Sequence, residues 1–326
     1  MSIPKVTVLM SIFNGLEYLP EAMHSILSQS FDDFEFLIIN DGSTDPVGQI
    51  FQEFHDSRII VLNQDNIGLT RSLNRGLLLA RGEYVARMDS DDLSLPGRLE
   101  AQVRELEFDS RLDLVAGFFD IVDEHGHTIE RKELIRDPIY RLWRLQFHNN
   151  YGHGSVMFRK KAVLEAGRYN SDLAYAQDFD LWSRISKRDN TKIIPQVLYH
   201  YRMVHHGTQT SVSHYDMQLA NAIRISNRSL KSCNRLLTDF DCEEVRALYW
   251  KFQREHVSVK GLSLVAWTLE GFCRRFSIEG KSKSELFKRV ALDAIEELHN
   301  DHSLSQRERI AMVGEFSTWH EECSGS

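Results

Sequence analysis

The stretch Gly82–Asp92, GEYVARMDSDD, governs how the rest of the chain is read. Gly82 is a turn residue, Tyr84–Met88 reads as a short buried strand, and the run closes on three carboxylates, Asp89, Asp91 and Asp92. Side chains alternate across a strand, so Asp89 and Asp91 face the same way. Two carboxylates converging at a strand end repel each other unless something positive lies between them. A hard divalent cation fits, because Mg²⁺ and Mn²⁺ prefer oxygen ligands and usually combine a carboxylate or two with phosphate oxygens. The competing reading is a solvated acidic turn, since Asp and Ser are themselves turn formers.

Upstream, strand and helix signals alternate. Val6–Ile12 (VTVLMSI) is a near-continuous apolar strand, as in a parallel sheet covered on both faces. Tyr18–Gln29 carries Leu19, Met23, Ile26 and Leu27 at helical spacing, with Pro20 in the first turn. Phe34–Asn40 is a second strand stopped by Asp41-Gly42-Ser43, and Pro46 suits the start of the next helix. Ile59–Asn63 is a third strand and Thr70–Ala80 a third helix. This alternation predicts an α/β protein, Rossmann-like, with a mostly parallel sheet and helices on both faces. Ligands of such sheets bind beyond the carboxyl ends of the strands. Those ends are Ser11–Gly15, Asn40–Asp45 and Asp89–Asp92, all polar and all on one edge. Neither a GxGxxG after the first strand nor a GxxxxGK[ST] is present, which disfavours a dinucleotide fold and a P-loop. Asp41 either accepts hydrogen bonds from a nucleotide base or ribose, or bonds its own turn.

Downstream, the sequence predicts helices at Pro96–Phe108, Pro138–Phe147, Lys160–Ala166 and Ala176–Ile185, strands at Leu114–Phe118, Ser155–Arg159 and Ile193–Tyr201, and a hairpin turn at Glu124-His125-Gly126. Trp143 and Trp182 read as core. From Tyr215 strand signals vanish. Amphipathic helical spacing takes over at Leu219–Leu230, Glu243–Glu255, Leu262–Phe276, Lys283–His299 and Gln306–Phe316. The expected division is therefore a catalytic domain over 1–214 and a helical extension over 215–326. The extension would serve acceptor, homodimer or membrane-surface contacts, with packing on the main domain or a twin subunit favoured over lipid binding.

The 326 residues carry a net charge of −8, which gives a nucleic-acid partner no electrostatic support. The four cysteines, all in the last third, lack CxxC spacing and read as reduced thiols rather than zinc ligands. The opening MSIPKVTVLM lacks a signal-peptide pattern, and no apolar run approaches the roughly 20 residues of a membrane helix. A cytoplasmic protein is expected, able to work peripherally at the inner face of a membrane.

The ordered set VLMSIFNG (8–15), INDGSTD (39–45), NIGLTRSLNRGLLLARG (66–82), MDSDD (88–92), PGRLEAQ (96–102), HGSVMFR (153–159) and QDFDLW (177–182) resembles the family 2 glycosyltransferases, inverting enzymes of GT-A fold. The resemblance covers about the first 210 residues. It implies that Asp41 reads the base of a nucleotide, with Ser11, Phe13 and Asn14 lining the same pocket. Asp89-Ser90-Asp91 corresponds to the DxD motif, with Asp89 near the ribose or sugar and Asp91 on Mn²⁺ or Mg²⁺. Arg71 would add a donor to the diphosphate. Asp178 matches the catalytic base, preceded here by Gln177 where the family more often has Glu. The family's Tyr-Arg-x-His is one residue longer here, so either His205 or His206 would stand by the diphosphate and metal.

Transfer from a nucleoside diphosphate sugar needs a cation on the leaving diphosphate and one base opposite it, and no covalent intermediate. Asp180 would then be a cap or a salt-bridge partner. The expected reaction is transfer from a nucleotide sugar, a UDP-sugar first, to a saccharide or lipid-linked saccharide, in surface polysaccharide or lipopolysaccharide assembly. Two rivals stand beside it. A nucleotidyltransferase would want a basic Gly-rich loop after the first strand, which Ser11–Gly15 lacks, and would release pyrophosphate. A non-catalytic nucleotide-sugar-binding assembly subunit would bind without turnover, and the intact Asp89, Asp91 and Asp178 argue against it.

Overall fold

The computed structural model describes residues 3–203, 214–249 and 259–300. They group into two compact units, one within Met1–Pro138 and Asn149–Asn221, the other within Ile139–His148 and Ala222–Ser326. The sheet unit thus ends seven residues beyond the 214/215 boundary drawn from sequence, and a short segment before Asn149 belongs with the helical unit.

The sheet unit opens with β1 (Val6–Ile12), α1 (Leu19–Leu27), β2 (Phe34–Asp41), α2 (Val47–Glu53), β3 (Ile59–Gln64), α3 (Leu69–Leu79) and β4 (Tyr84–Met88). These four strands lie parallel in the order β3-β2-β1-β4. The order reverses at β1, so the carboxyl ends of β1 and β4 flank a switch point, where open α/β sheets bind ligands. β1 is buried on both faces. Val6, Val8, Met10 and Ile12 meet α1 residues Leu19, Met23 and Ile26 in one cluster. On the opposite face α3 packs so closely that a Cβ on Gly76 would lie 2.3 Å from a methyl carbon of Leu9.

Past β4 come β5 (Leu93–Ser94), α4 (Arg98–Phe108), β6 (Leu114–Val122), β7 (Thr128–Lys132), α5 (Pro138–Arg144), β8 (Val156–Arg159), α6 (Lys160–Glu165), α7 (Gln177–Ile185) and β9 (Thr191–Arg202). Here the sheet becomes mixed: β8 runs antiparallel to both β4 and β6, β9 pairs parallel with β6, and β5 pairs antiparallel with β9. β5 and β7 have no counterpart among the sequence-predicted elements. β5 is two residues long, and β7 (TIERK) is an edge strand, largely exposed, with no apolar alternation.

In the helical unit α5 carries Trp143, fully buried, whose indole N–H donates to the Tyr249 hydroxyl at 2.8 Å, and Tyr140, whose hydroxyl donates to Asp293 at 2.6 Å. α8 (Tyr215–Cys233) leads into this unit, followed by α9 (Asp239–Ala247), α10 (Val259–Phe276) and α11 (Gly280–Asn300). α9 starts on a reciprocal cap: Thr238 Oγ1 accepts from Asp241 N, and the Asp241 carboxylate accepts from Thr238 N. Much of the helix expected at Glu243–Glu255, and all of that at Gln306–Phe316, lies outside the described residues. Among the described residues no helix is long and apolar enough to cross a membrane.

Candidate active site

Three turns at the carboxyl edge of the sheet are laced together. After β1, Asn14 and Gly15 both take positive φ, 62° and 87°. Asn14 Oδ1 accepts from Thr44 N at 2.8 Å and Asp45 N at 3.2 Å, while Asn14 N donates to Ser43 Oγ at 2.9 Å. The turns after β1 and β2 are thereby fixed to each other. Ser11 is buried at the strand end, and Phe13 next to it keeps 54% of its surface exposed, an aromatic face open to a ligand. Gly42 is at φ 75°, and a Cβ there would sit 2.6 Å from Asn66 N, so only glycine lets the β2 turn meet the β3–α3 loop.

Asp41 does not bond its own turn. Its carboxylate accepts from Gln64 Nε2 at 2.6 Å, Ile67 N at 2.9 Å and Gly68 N at 2.9 Å. It holds the entry to α3 rather than its own turn, and it is 2% exposed. A carboxylate has about four lone-pair sites, so roughly one remains for a ligand. Arg71, in the first turn of α3, is exposed on the same edge.

The Asp-Ser-Asp-Asp loop after β4 is held by residues far away in sequence. Tyr199 of β9 donates its hydroxyl to Asp92 Oδ2 at 2.8 Å and accepts from Asp89 N at 3.2 Å. Arg202 donates its backbone N–H to Asp92 Oδ1 at 2.7 Å, its Nε to the Asp91 carbonyl at 2.9 Å and its Nη2 to Glu21 at 2.6 Å. Asp92 is therefore the clamp of the loop, fully enclosed. Burial and the neighbouring Asp91 charge push its pKa upward. Burial also raises Asp91, and among the described residues no side chain pairs with it. Asp89 is ion-paired with Arg87, the buried arginine inside the run that reads as an apolar strand. Ser90 lies by the β1 turn, 4.0 Å from where a Cβ on Gly15 would be.

Asp178 stands in the first turn of α7, after Ala176 at φ 58°. Its Oδ1 accepts from Phe179 N at 2.8 Å and its Oδ2 from Asn149 Nδ2 at 2.6 Å. Burial raises its pKa, and the Phe179 N–H, the Arg87 guanidinium and Asn149 oppose that rise. The loop before α7 is pinned on α3: Thr70 Oγ1 donates to Leu173 O at 2.7 Å, and Asn74 exchanges two bonds with the Tyr169 backbone. Arg87 also lowers Asp91 and Asp92, so one buried guanidinium lies among the strand-end carboxylates and Asp178. Asp180 faces away, bound by Arg184 at 2.9 Å, and Trp182 is fully buried against His153, Tyr169 and Tyr151. His205 and His206 lie outside the described residues.

The donor set suits a hard divalent ion. A partly buried carboxylate that makes no ion pair at contact distance among the described residues, Asp91, stands two residues from a second carboxylate, and oxygen is the ligand Mg²⁺ and Mn²⁺ select. Among the described residues no three His, Cys, Asp or Glu side chains converge, so phosphate or water oxygens would complete the shell. Sequence reasoning gave no role to Arg87, Asn149, Tyr199 and Arg202. Of these Arg87 left a signal, a charge inside an otherwise apolar strand, and Arg202 stands in the Tyr-Arg pair of the family pattern.

The model of glycosyl transferase family 2 matches residues 7–164. An uncharacterized glycosyltransferase of Haemophilus influenzae is 30% identical over 238 residues, spanning 69% of this chain and 73% of its own length. Among solved structures, S. aureus TarS 1-349 in complex with UDP-GlcNAc shares the fold at TM-score 0.59 and 17% identity, covering 90% of this chain and 89% of that one. The mannosyltransferase PcManGT of Pyrobaculum calidifontis, in complex with GDP-Man and Mn²⁺, aligns at TM-score 0.50 and 14% identity over 98% and 84%. The family match and the 30% identity to a glycosyltransferase over more than two thirds of both chains show that the chain belongs to the family 2 glycosyltransferases.

Proposed function

We propose that this glycosyltransferase moves a sugar from a nucleoside diphosphate sugar, UDP-linked by first preference, to a hydroxyl acceptor with inversion at the anomeric carbon. The observation that carries the reading is Asp178, a carboxylate with raised pKa, anchored at the edge where Asp89 and Asp91 end β4. That neighbours in fold were solved with UDP-GlcNAc, and with GDP-Man and Mn²⁺, supports the class of donor. The turns at Ser11–Asn14 and Asp41 would receive the nucleoside, with Phe13 against the base. Asp91 would hold a Mn²⁺ or Mg²⁺ ion, with Asp89 near the ribose or sugar. Such an ion neutralises charge that develops on the leaving diphosphate.

The acceptor oxygen forms its bond to the anomeric carbon as the bond from that carbon to the diphosphate breaks. The electron pair leaves with the nucleoside diphosphate, and Asp178 takes the hydroxyl proton. Burial makes Asp178 a stronger base than a solvated carboxylate, and the Phe179 N–H, the Arg87 guanidinium and Asn149 oppose that rise by favouring the anion. A single displacement needs one base, and Asp180 is committed to Arg184. The test is proton NMR of the first product formed from a panel of α-linked UDP-hexoses and UDP-N-acetylhexosamines with Mn²⁺. A β anomer, absent with Asp178→Asn, is expected; an α anomer or undiminished turnover by Asp178→Asn would overturn the reading.

A further inference from the structure

Asn149 is the residue at which the chain re-enters the sheet unit, four residues before the His153-Gly154-Ser155 turn. Its side-chain amide has an unambiguous orientation. Oδ1 accepts from Tyr151 N at 3.1 Å, so Nδ2 must be the atom facing Asp178 Oδ2 at 2.6 Å. Tyr151 is 5% exposed and its ring packs edge-on against Trp182 of α7, the helix that carries Asp178. The donor and the carboxylate are therefore set on one packed body. Without Asn149, no other side chain among the described residues would bond the Asp178 carboxylate; it would keep only backbone N–H donors, that of Phe179 on Oδ1, and Oδ2 would lose its side-chain anchor.

We propose that Asn149 is a positioning residue for Asp178: its amide N–H fixes the second carboxylate oxygen and holds the group ionised and aimed until the acceptor proton arrives. The inference rests on Asp178 being the base. Asn149 takes no proton itself. Its donation to the charged form is lost in strength once Asp178 is protonated, so the bond favours the state that must wait for substrate. The other charged and titratable groups around Asp178 are Arg87 of β4, which also favours the anion, Tyr169, and His153, whose ring is bonded to the Tyr169 hydroxyl at 2.9 Å and kept neutral by burial. None of them replaces the bond to Oδ2.

The experiment compares the full chain with Asn149→Ala and Asn149→Asp, using carbon-detected NMR titration of the side-chain carboxyls, with the Asp178 signal assigned by its loss in Asp178→Asn. The Asp178 midpoint should rise by about one pH unit in Asn149→Ala and further in Asn149→Asp, where two carboxylates share one site. With a turned-over UDP-sugar, the acid limb of kcat/KM should move by the same amount while KM for the donor stays within about twofold. Asn149→Asp preserves shape, so it reports even where the alanine variant unfolds. An unmoved Asp178 midpoint in either folded variant overturns the proposal. Native turnover by Asp178→Asn would instead sink the assignment of the base.

Discussion

Removing one oxygen atom, in Tyr199→Phe, should loosen the whole Asp-Ser-Asp-Asp loop. The hydroxyl donates to the Asp92 carboxylate at 2.8 Å and accepts from Asp89 N at 3.2 Å, and the residue is 1% exposed. The substitution leaves the ring and its contact with Arg98 at 4.9 Å in place, so packing changes little. A hydrogen bond contributes about 0.5–1.5 kcal/mol, and leaving a buried N–H unsatisfied costs about 1–3 kcal/mol. Together the two losses come to about 1.5–4.5 kcal/mol. For a domain of this size that lowers Tm by on the order of 10 °C. The assay is urea and thermal unfolding followed by circular dichroism, where the midpoint should fall with the urea slope unchanged. A midpoint within about 2 °C of wild type would show that the hydroxyl does not clamp the loop.

Three further outcomes follow from the same geometry. Gly42→Ala forces φ 75° on an alanine and its Cβ to within 2.6 Å of Asn66 N, so it should cost about 1–3 kcal/mol in unfolding measurements and weaken UDP binding as the β3–α3 loop is displaced. Asp41→Asn places an amide among three donors, so calorimetry should show a lower Tm even without nucleotide; an unchanged Tm would contradict the part Asp41 plays in seating α3. Asp178 is raised in the folded state, so stability it contributes is present below the ordinary carboxylate pKa and is lost as pH rises through the folded value. With Asp178 as the proposed base, activity runs the opposite way, because the carboxylate must be ionised: kcat/KM should fall on its acid side at a pH above that of a solvated carboxylate, and Asp178→Asn should abolish turnover.

The parallel half of the sheet was legible because each of its strands is a local apolar run ended by a turn: VTVLMSI, FEFLIIN and the run before MDSDD state their own ends. The strand-end carboxylates were legible for the same reason. What could not be read depends on pairing across long separations. Val156–Arg159 inserts antiparallel between β4 and β6, and nothing in four residues signals direction. Tyr199 and Arg202 reach Asp92 across more than a hundred residues of chain, so their hydroxyl and amide looked like ordinary strand chemistry. Asn149 sits in an irregular segment without periodicity, where only coordinates show what its amide meets. At Asp41 only the own-turn reading fails: its carboxylate accepts from the Ile67 and Gly68 amides of the β3–α3 loop, partners that a local reading of the turn does not show.

The central claim is that one edge of this sheet holds a nucleoside diphosphate through a divalent ion on Asp91. Calorimetric titration of UDP into the protein with and without Mn²⁺, repeated with Asp91→Ala, tests it directly. The expected result is UDP binding that strengthens at least about tenfold with Mn²⁺ in the wild type, a gain of about 1.4 kcal/mol, and no such gain in Asp91→Ala. UDP affinity that ignores Mn²⁺ in the wild type, or an undiminished Mn²⁺ effect in Asp91→Ala, would contradict it.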